Sequence, residues 1–190
     1  AKTHCKDPVV LIEQRLDYSR YVESGYGTGD CLVIADDTLN VIDLKYGKGV
    51  EVEAEQNPQM MLYALGALEL FDDLYDINAV TMTIFQPRRA NVSIWTISKS
   101  DLYQWAENTL RPAAELAFKG EGKYHSGGWC QFCKAKHECR ARADEQMELM
   151  RYDFKMPPLL TDEDVEDILG RVDQLVSWAE DIKEYALQSA

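Results

Sequence analysis

The order of apolar and polar residues in the first quarter of the chain predicts three adjacent strands. An apolar run that passes into alternation, VVLIEQRLD, is typical of a strand at Val9–Asp17. A glycine-rich turn at Ser24–Gly29 precedes a buried strand at Asp30–Ala35. An aspartate pair then turns the chain into a third strand at Leu39–Lys45. We therefore expect a meander with short loops at the start of the fold.

The pattern after this meander predicts helices alternating with further strands. Asn57 is placed to cap a helix whose first residue is Pro58, and Gln59–Phe71 is apolar on nearly every face. The remaining predicted elements are strands at Val80–Phe85 and Asn91–Ile97 and helices at Ser100–Phe118 (capped by Ser100), Glu145–Arg151 and Asp162–Leu187. This order predicts an α/β fold, with a central mixed sheet flanked by helices and a helical C-terminal extension.

Charge and cysteine content restrict the classes of partner and compartment. The net charge is −13, which by itself argues against nucleic acid as a partner. The acidity is concentrated in residues 144–190, however, which carry 13 acidic and 4 basic residues. A DNA-binding body with an acidic extension therefore stays compatible with the composition. The odd cysteine count of five, without a secretory signal, favours a reducing, cytoplasmic compartment. No apolar run long enough for a membrane span is present.

Two carboxylates and a lysine are the most informative polar residues. Asp30 starts one predicted strand and Asp43 lies near the end of the next, so a hairpin brings them together. Such a pair, with the Leu44 carbonyl and water, can hold Mg²⁺ or Mn²⁺. Lys45 leaves the same strand face as Asp43 and can offset phosphoryl charge or activate a water. In isolation, the sequence Asp-x-Lys is more often an exposed strand pair.

A glutamine and a tyrosine follow on the next predicted helix. Gln59 and Tyr63 are four residues apart and therefore share one helix face. Without the preceding carboxylates they are most simply interpreted as a capping amide and a half-buried tyrosine.

Taken together, Gly29-Asp30, Asp43-Leu44-Lys45 and Gln59 to Tyr63 resemble the PD-(D/E)xK nuclease superfamily, in particular its RecB-like and Cas4-like exonucleases. The resemblance implies a restriction-endonuclease-like core, metal binding by the two aspartates, a catalytic lysine, and support of the site and the DNA by glutamine and tyrosine. Over nearly the whole chain, the strings DLKYGKGV, NPQMMLYALGAL, FQPRR and the cysteine region also resemble the phage-associated DUF2800-type family.

The start of the chain departs from those nucleases. Their preceding helix, which carries a Glu or His of the site, has no counterpart before the strand at Val9–Asp17. We expect the sequence, which starts at Ala1 without an initiator Met, to be a processed chain or a piece of a longer protein. Glu13 is a candidate to approach the metal, although an exposed strand carboxylate is the simpler interpretation.

Three cysteines form a C-x2-C-x5-C pattern at Cys130, Cys133 and Cys139. Thiolates at this spacing can converge on a soft metal. The resemblance to Cas4-like and AddB-like nucleases implies a [4Fe-4S] cluster that holds the chain ends together. The fourth ligand stays open between Cys5 and His137, and the histidine would make a Zn²⁺ site instead. Three reduced cysteines without metal are the remaining alternative.

Four further residues are candidates for DNA contact. Lys48, Arg88 and Arg89 can bind phosphate, and Trp129 in a glycine-rich segment can stack on a base. For each of the three basic residues, an ordinary solvated loop charge is an equal alternative.

The sequence therefore predicts a metal-dependent DNA exonuclease in phage recombination or DNA processing, encoded by a bacterium or phage. We expect a nuclease core in residues 1–125, a cysteine-rich metal-binding segment in 126–143 and an acidic helical extension in 144–190. The alternative is a catalytically inactive DNA-binding or assembly module that retains the nuclease fold. The acidic extension favours contact with a recombination or phage partner protein, or with a second copy of the chain.

Overall fold

Five strands form one mixed sheet in the computed structural model of the chain, which describes residues 7–149 and 160–189. The strands are β1 (Val9–Asp17), β2 (Tyr26–Ala35), β3 (Thr38–Leu44), β4 (Ala79–Gln86) and β5 (Asn91–Ser98). They lie in the order β1-β2-β3-β4-β5, and only β3 and β4 run parallel. A parallel pair needs a crossover connection, and the helix α1 (Pro58–Phe71) provides it.

The core lies between the sheet and α1. Asn57 caps the helix by accepting hydrogen bonds from the backbone N–H groups of Gln59 and Met60, and Pro58 occupies the first turn. Gly66 lets the helix approach β1, because a Cβ there would lie 2.9 Å from the Leu16 Cβ. The fully buried large side chains are Leu16, Leu32, Leu39, Val41, Met60, Leu65, Leu68, Ile77, Val80, Met82, Ile84 and Leu102.

The helical region after β5 differs from the single helix that the sequence predicted. It consists of α2 (Lys99–Trp105), a π turn at Ala106–Leu110 and α3 (Arg111–Phe118). Pro112 has no N–H for the carbonyl four residues earlier and crowds it, which accounts for the wider turn. The cap is Ser98 rather than Ser100, because the Ser98 Oγ accepts from the Asp101 N–H at 3.1 Å and donates to its carboxylate at 2.7 Å.

The loop after β3 is bound through its backbone by side chains of the β4–β5 hairpin. Gln86, which is 2% exposed, accepts from the Val52 N–H at 2.9 Å and donates to the Val50 carbonyl at 3.1 Å. Asn91 donates to the Val52 carbonyl at 3.2 Å. Residues 46–52, called the 46–52 loop below, are therefore held by amide side chains instead of a strand ladder.

The chain divides into two compact units, Ala1–Gly122 and Lys123–Ala190. The second unit contains a 3-10 turn at Gly128–Phe132 and the helices α4 (Arg140–Met147) and α5 (Asp162–Ser189). The prediction of a helix from Glu145 is wrong in its start, and the predicted end at Arg151 lies outside the described residues. Asp181 connects α5 to α4 and to the segment before α4, since its carboxylate contacts Lys136 and Arg142 at 2.5 and 2.6 Å.

The sequence prediction of an α/β fold with a mixed sheet, flanking helices and a C-terminal helix is confirmed. The division into three segments stays a prediction. None of the helices in the described ranges has the length and apolar character that crossing a membrane requires.

Candidate active site

The two predicted aspartates lie opposite each other on neighbouring strands. The β2–β3 ladder ends at the pair Cys31 and Ile42, and Asp30 and Asp43 are the next residue on each strand. Residues directly opposite in an antiparallel pair are close neighbours. The Asp30 Oδ2 accepts a hydrogen bond of 2.7 Å from the Leu44 N–H, which directs this carboxylate toward β3. Asp30 does not start its strand as predicted, because β2 already begins at Tyr26.

Asp43 is a buried carboxylate whose inner oxygen has no hydrogen-bond donor. The residue is 5% exposed and continues the core-facing row of Leu39 and Val41. Its Oδ2 lies 2.9 Å from the Lys45 Nζ, as an ion pair without hydrogen-bond geometry. No other partner reaches this oxygen among the described residues. A buried carboxylate in this condition is costly, so its position favours a site that receives positive charge.

Lys45, Gln59 and Tyr63 form a chain of hydrogen bonds from β3 to α1. The Lys45 Nζ donates to the Gln59 Oε1 at 3.1 Å, and the Gln59 Nε2 donates to the Tyr63 hydroxyl at 3.1 Å. The Lys45 ammonium can only donate, so it faces the Gln59 oxygen and directs the amide nitrogen to the Tyr63 hydroxyl. The structure thus brings together all five residues that the sequence singled out as catalytic.

Glycines on β2 make room for this chain. A Cβ on Gly27 would lie 2.5 Å from the Tyr63 Cε1 and 3.4 Å from the Tyr18 hydroxyl oxygen. The Tyr18 hydroxyl donates to the Tyr26 carbonyl at 2.7 Å. Burial, and secondarily Tyr63, raises the pKa of Tyr18, so this hydroxyl stays protonated at neutral pH. The predicted turn at Ser24–Gly29 is therefore confirmed only at its start, before β2, and the residues from Tyr26 onward belong to a strand that admits a tyrosine ring.

Glu13 lies opposite Asp30 on the edge strand β1. The pairing of β1 with β2 is interrupted at this position, where Glu13 has a left-handed φ of 52°. The interruption changes which side chains face the core, from Leu11 before it to Leu16 after it. Glu13 is exposed and remains a candidate for the approach to the metal, as the sequence suggested.

Cys31, the cysteine next to the site, has an unreactive thiol. Cys31 pairs with Ile42 in the ladder, and burial, with a smaller contribution from Asp30, raises the pKa of its thiol. The thiol is therefore protonated at neutral pH and lacks the thiolate character of a nucleophile or ligand. Cys31 therefore acts as a small packing residue of the sheet.

Of the three basic candidates for DNA contact, Lys48 lies in the 46–52 loop, and Arg88 and Arg89 lie in the 3-10 turn Pro87–Arg89. The Arg89 Nη1 donates to the Lys48 and Gly49 carbonyls at 3.3 and 2.6 Å, and its Nη2 lies 3.6 Å from the Glu51 carboxylate. Arg89 thus holds the loop in place. The Arg88 guanidinium lies 5.4 Å from the centre of the Tyr46 ring. Tyr46, directly after the Asp-x-Lys pattern, is a residue that the sequence reasoning missed, although its place beside Lys45 could have indicated it.

The cysteine segment lies in the second unit. Cys130 is buried and accepts from the Gly127 N–H at 3.4 Å, whereas Cys133 and Cys139 line a cavity of about 310 Å³. His137 stacks on Tyr185 with ring centres 4.2 Å apart. Within the part of the chain that the structure describes, no three His, Cys, Asp or Glu side chains converge as a metal site. The alternative ligand Cys5 lies outside the described residues.

Trp129, the predicted stacking residue, is an exposed indole beside these cysteines. Its side chain is 64% exposed, and its indole N–H donates to the His125 carbonyl at 3.2 Å. A Cβ on Gly127 would lie 2.5 Å from this ring, so the glycine allows the indole to fold back over the chain.

The chain belongs to the DUF2800 family, whose model, described as a protein of unknown function, matches residues 1–190. The resemblance to the DUF2800 type that the sequence strings indicated is thereby confirmed.

Proposed function

We propose that the protein is a metal-dependent deoxyribonuclease of the PD-(D/E)xK type that acts as an exonuclease. The observation that supports this best is the meeting of Asp30, Asp43 and Lys45 at the ends of two neighbouring strands, with Gln59 oriented on the lysine. The strand order of the first unit and the crossover helix α1 suit a restriction-endonuclease-like core.

The residues present fit a divalent cation with oxygen ligands. Asp30 and Asp43 would hold it, together with the Leu44 carbonyl and water, and Mg²⁺ and Mn²⁺ both take this donor set. The fit rests on the Asp43 Oδ2, a buried oxygen without a hydrogen-bond donor in the described part of the chain. When bound, the metal supplies Lewis-acid polarisation of the phosphate and lowers the pKa of a bound water.

The protein's own side chains orient the substrate and stabilise charge. Lys45 is held between Asp43 and Gln59, so its ammonium stays fixed instead of sampling rotamers. A fixed ammonium stabilises the charge that develops on a phosphoryl oxygen and can orient the attacking water. Tyr63 acts through Gln59 as a positioning residue.

We further propose that Cys130, Cys133 and Cys139 hold a [4Fe-4S] cluster, or Zn²⁺ as the alternative, with Cys5 or His137 as the fourth ligand. The hydrogen bond from the Gly127 N–H to the Cys130 sulfur supports this, because such donors stabilise ligating thiolates. Iron, sulfide and zinc analysis of anaerobically purified protein tests it, with Cys133→Ser as the depleted comparison.

A second candidate function is a non-catalytic DNA-binding or assembly module. It is favoured by α5, where Val165, Leu169 and Val176 leave apolar side chains 41%, 65% and 50% exposed. An exposed apolar stripe on an acidic helix suits a protein partner, such as a recombination protein or a second copy.

A cleavage assay separates the two candidates. Anaerobically purified protein is incubated with end-labelled linear DNA, single- and double-stranded, with and without Mn²⁺. We expect a metal-dependent ladder of products, whose labelled end gives the polarity, and a loss of about 10²–10³-fold in rate for Lys45→Ala.

The chain offers a matched control for this lysine. Lys99 forms an ion pair of 2.8 Å with Asp72 and is 29% exposed, close to the 2.9 Å and 27% of Lys45. Lys99→Ala should cleave like the wild type. Folded protein that binds DNA but never cleaves either substrate in Mn²⁺ would contradict the nuclease and favour the assembly module.

A further inference from the structure

The residue that follows the proposed catalytic lysine presents an exposed aromatic ring. Tyr46 is 65% exposed. The backbone just before it is still fixed to the sheet, because the Lys45 N–H donates to the Phe85 carbonyl at 2.9 Å. Consecutive Cα atoms are about 3.8 Å apart, so Tyr46 is directly beside the residue that carries the proposed catalytic ammonium.

The ring is paired with a guanidinium on an anchored turn. Arg88 lies 5.4 Å from the centre of the Tyr46 ring, in the 3-10 turn Pro87–Arg89. The neighbouring Arg89 donates to the Lys48 and Gly49 carbonyls, which ties this turn to the 46–52 loop. The Tyr46 ring is thus already partly ordered in the folded protein, so a ligand that stacks on it loses less conformational entropy on binding.

This combination suits an unpaired nucleobase. A base stacks on an aromatic face regardless of its identity, and an arginine beside the ring adds a cation for the ring and for the adjacent phosphate. Inside a duplex each base face is covered by its neighbours, so an unpaired base offers Tyr46 a face that an internal paired base does not. The surface therefore discriminates by strand pairing and not by sequence.

We infer that Tyr46 and Arg88 form a base-stacking site for single-stranded DNA, next to the Asp30–Asp43 edge. The inference rests on the proposed nuclease and names its substrate class. A nucleotide whose phosphate lies at the two aspartates places a neighbouring base on Tyr46, so the site binds the strand as it passes Lys45.

The chain contains a second arginine–tyrosine pair that serves as a control. Arg15 lies 4.3 Å over the ring of Tyr26, which is 59% exposed. Tyr26 is directly opposite Asp17 on β1, and this carboxylate repels phosphate. The two tyrosines therefore match in exposure and in cation contact but differ in the charge around them.

The test measures DNA binding without metal, in EDTA, so that no cleavage occurs. The probes are a fluorescein-labelled single-stranded oligonucleotide and the same strand annealed to its blunt-ended complement. Tyr46→Ala should weaken single-strand binding by about 5- to 150-fold, the range of one lost base stack, and leave blunt-duplex binding within about twofold. Tyr46→Phe should retain the wild-type affinity, and Tyr26→Ala should be unchanged.

The kinetic readout is a raised KM for single-stranded DNA with an unchanged kcat in Tyr46→Ala, because the stack binds ground state and transition state alike. The inference is overturned if Tyr46→Ala binds single-stranded DNA as well as the wild type does, or if it loses affinity equally for both probes. Metal-dependent cleavage by the wild type would still support the nuclease in that case. If Tyr46→Ala loses single-strand binding selectively but the wild type never cleaves, the result supports the stacking site and contradicts the nuclease. A wild type that neither binds nor cleaves overturns both.

Discussion

At the scale of single residues, Asp43 determines what the site can accept. Its carboxylate is buried, and the only cation near it in the described chain is Lys45 at 2.9 Å. One lysine balances one carboxylate, but Asp30 adds a second negative charge across the β2–β3 pair. The local excess of negative charge favours a divalent cation at this edge of the sheet.

Asp43→Asn should abolish the stabilisation by Mn²⁺. A metal present at about 100 times its Kd adds about 2.7 kcal/mol to the free energy of unfolding of the wild type, and the variant should gain none because a ligand charge is lost. Thermal unfolding with and without Mn²⁺ measures this. Asp72→Asn, which loses the ion pair with Lys99, should keep the full Mn²⁺ response. An Asp43→Asn protein that Mn²⁺ stabilises like the wild type would contradict the assignment.

At the scale of elements, the site depends on how closely β2 approaches α1. Gly27 lies against the Tyr63 ring, and the hydrogen bonds of Tyr63 and Gln59 transmit that position to Lys45. The helix begins correctly because Asn57 caps it, which places Gln59 in the first turn. The strand–helix distance therefore sets the position of the lysine.

Gly27→Ala should move this chain of contacts. The new methyl group would lie 2.5 Å from the Tyr63 Cε1, so the ring must shift. We expect a loss of about 1–3 kcal/mol in the free energy of unfolding and a fall in kcat. In a Tyr63→Ala background, Gly27→Ala should cost much less stability because the clashing ring is gone, and a double-mutant cycle in urea detects this coupling. Gly49→Ala, whose Cβ would meet nothing within 4 Å, is the control. Additive losses in the cycle would show that Gly27 and Tyr63 do not interact.

The parts of the site that follow from local pattern were predictable, and those that depend on distant packing were not. The meeting of Asp30 and Asp43 was predicted from strand spacing, and the shared face of Gln59 with Tyr63 from helix spacing, because those rules act within a few residues; the role of Gln59 came from the family resemblance. Gly27 was assigned to a turn because a glycine needed for a distant ring looks the same in sequence as one needed for a bend. Tyr46 was missed because its exposure and its arginine depend on where β4 ends.

At the scale of the whole molecule, each unit has its own means of stabilisation. The first is built on the apolar core between sheet and α1. The second depends on polar contacts, with Arg142 5% exposed and bound to Asp181, and with no buried residue on α5. An apolar core tolerates changes of pH, whereas an ion-pair centre does not.

Asp181→Asn should unfold the second unit selectively. Removing one partner of a buried ion pair costs about 3 kcal/mol, since Lys136 and Arg142 lose their counter-charge. Hydrogen exchange in peptides from α4 and α5 should accelerate while the sheet stays protected. Glu148→Gln, which breaks an exposed pair with Arg171, should change little. If Asp181→Asn accelerated hydrogen exchange equally in the sheet and in α4 and α5, a selective role of Asp181 in the second unit would be contradicted.

The same contact makes the second unit sensitive to acid. Burial opposes ionisation of Asp181, but the hydrogen bonds from Lys136 and Arg142 outweigh it and lower the pKa of this carboxyl. Because this pKa is lower in the folded state, the carboxylate stabilises the fold fully at pH values above its unfolded-state pKa of about 3.9. The stabilisation is lost as the pH falls through the lower folded-state pKa. The wild type should lose protection in α5 on acidification, whereas Asp181→Asn should show a weaker dependence.

The amide side chains that bind the 46–52 loop also affect how this protein can diverge. Gln86 and Asn91 bind backbone atoms of Val50 and Val52, so the path of the loop is encoded mainly outside the loop itself. Val50 is 66% exposed and can be exchanged without disturbing that path. Relatives can therefore alter the surface beside the lysine by point substitution while the loop keeps its course. For protein engineering, outward side chains of the loop such as that of Val50 can be replaced, provided that Tyr46 and the hairpin residues are left as they are.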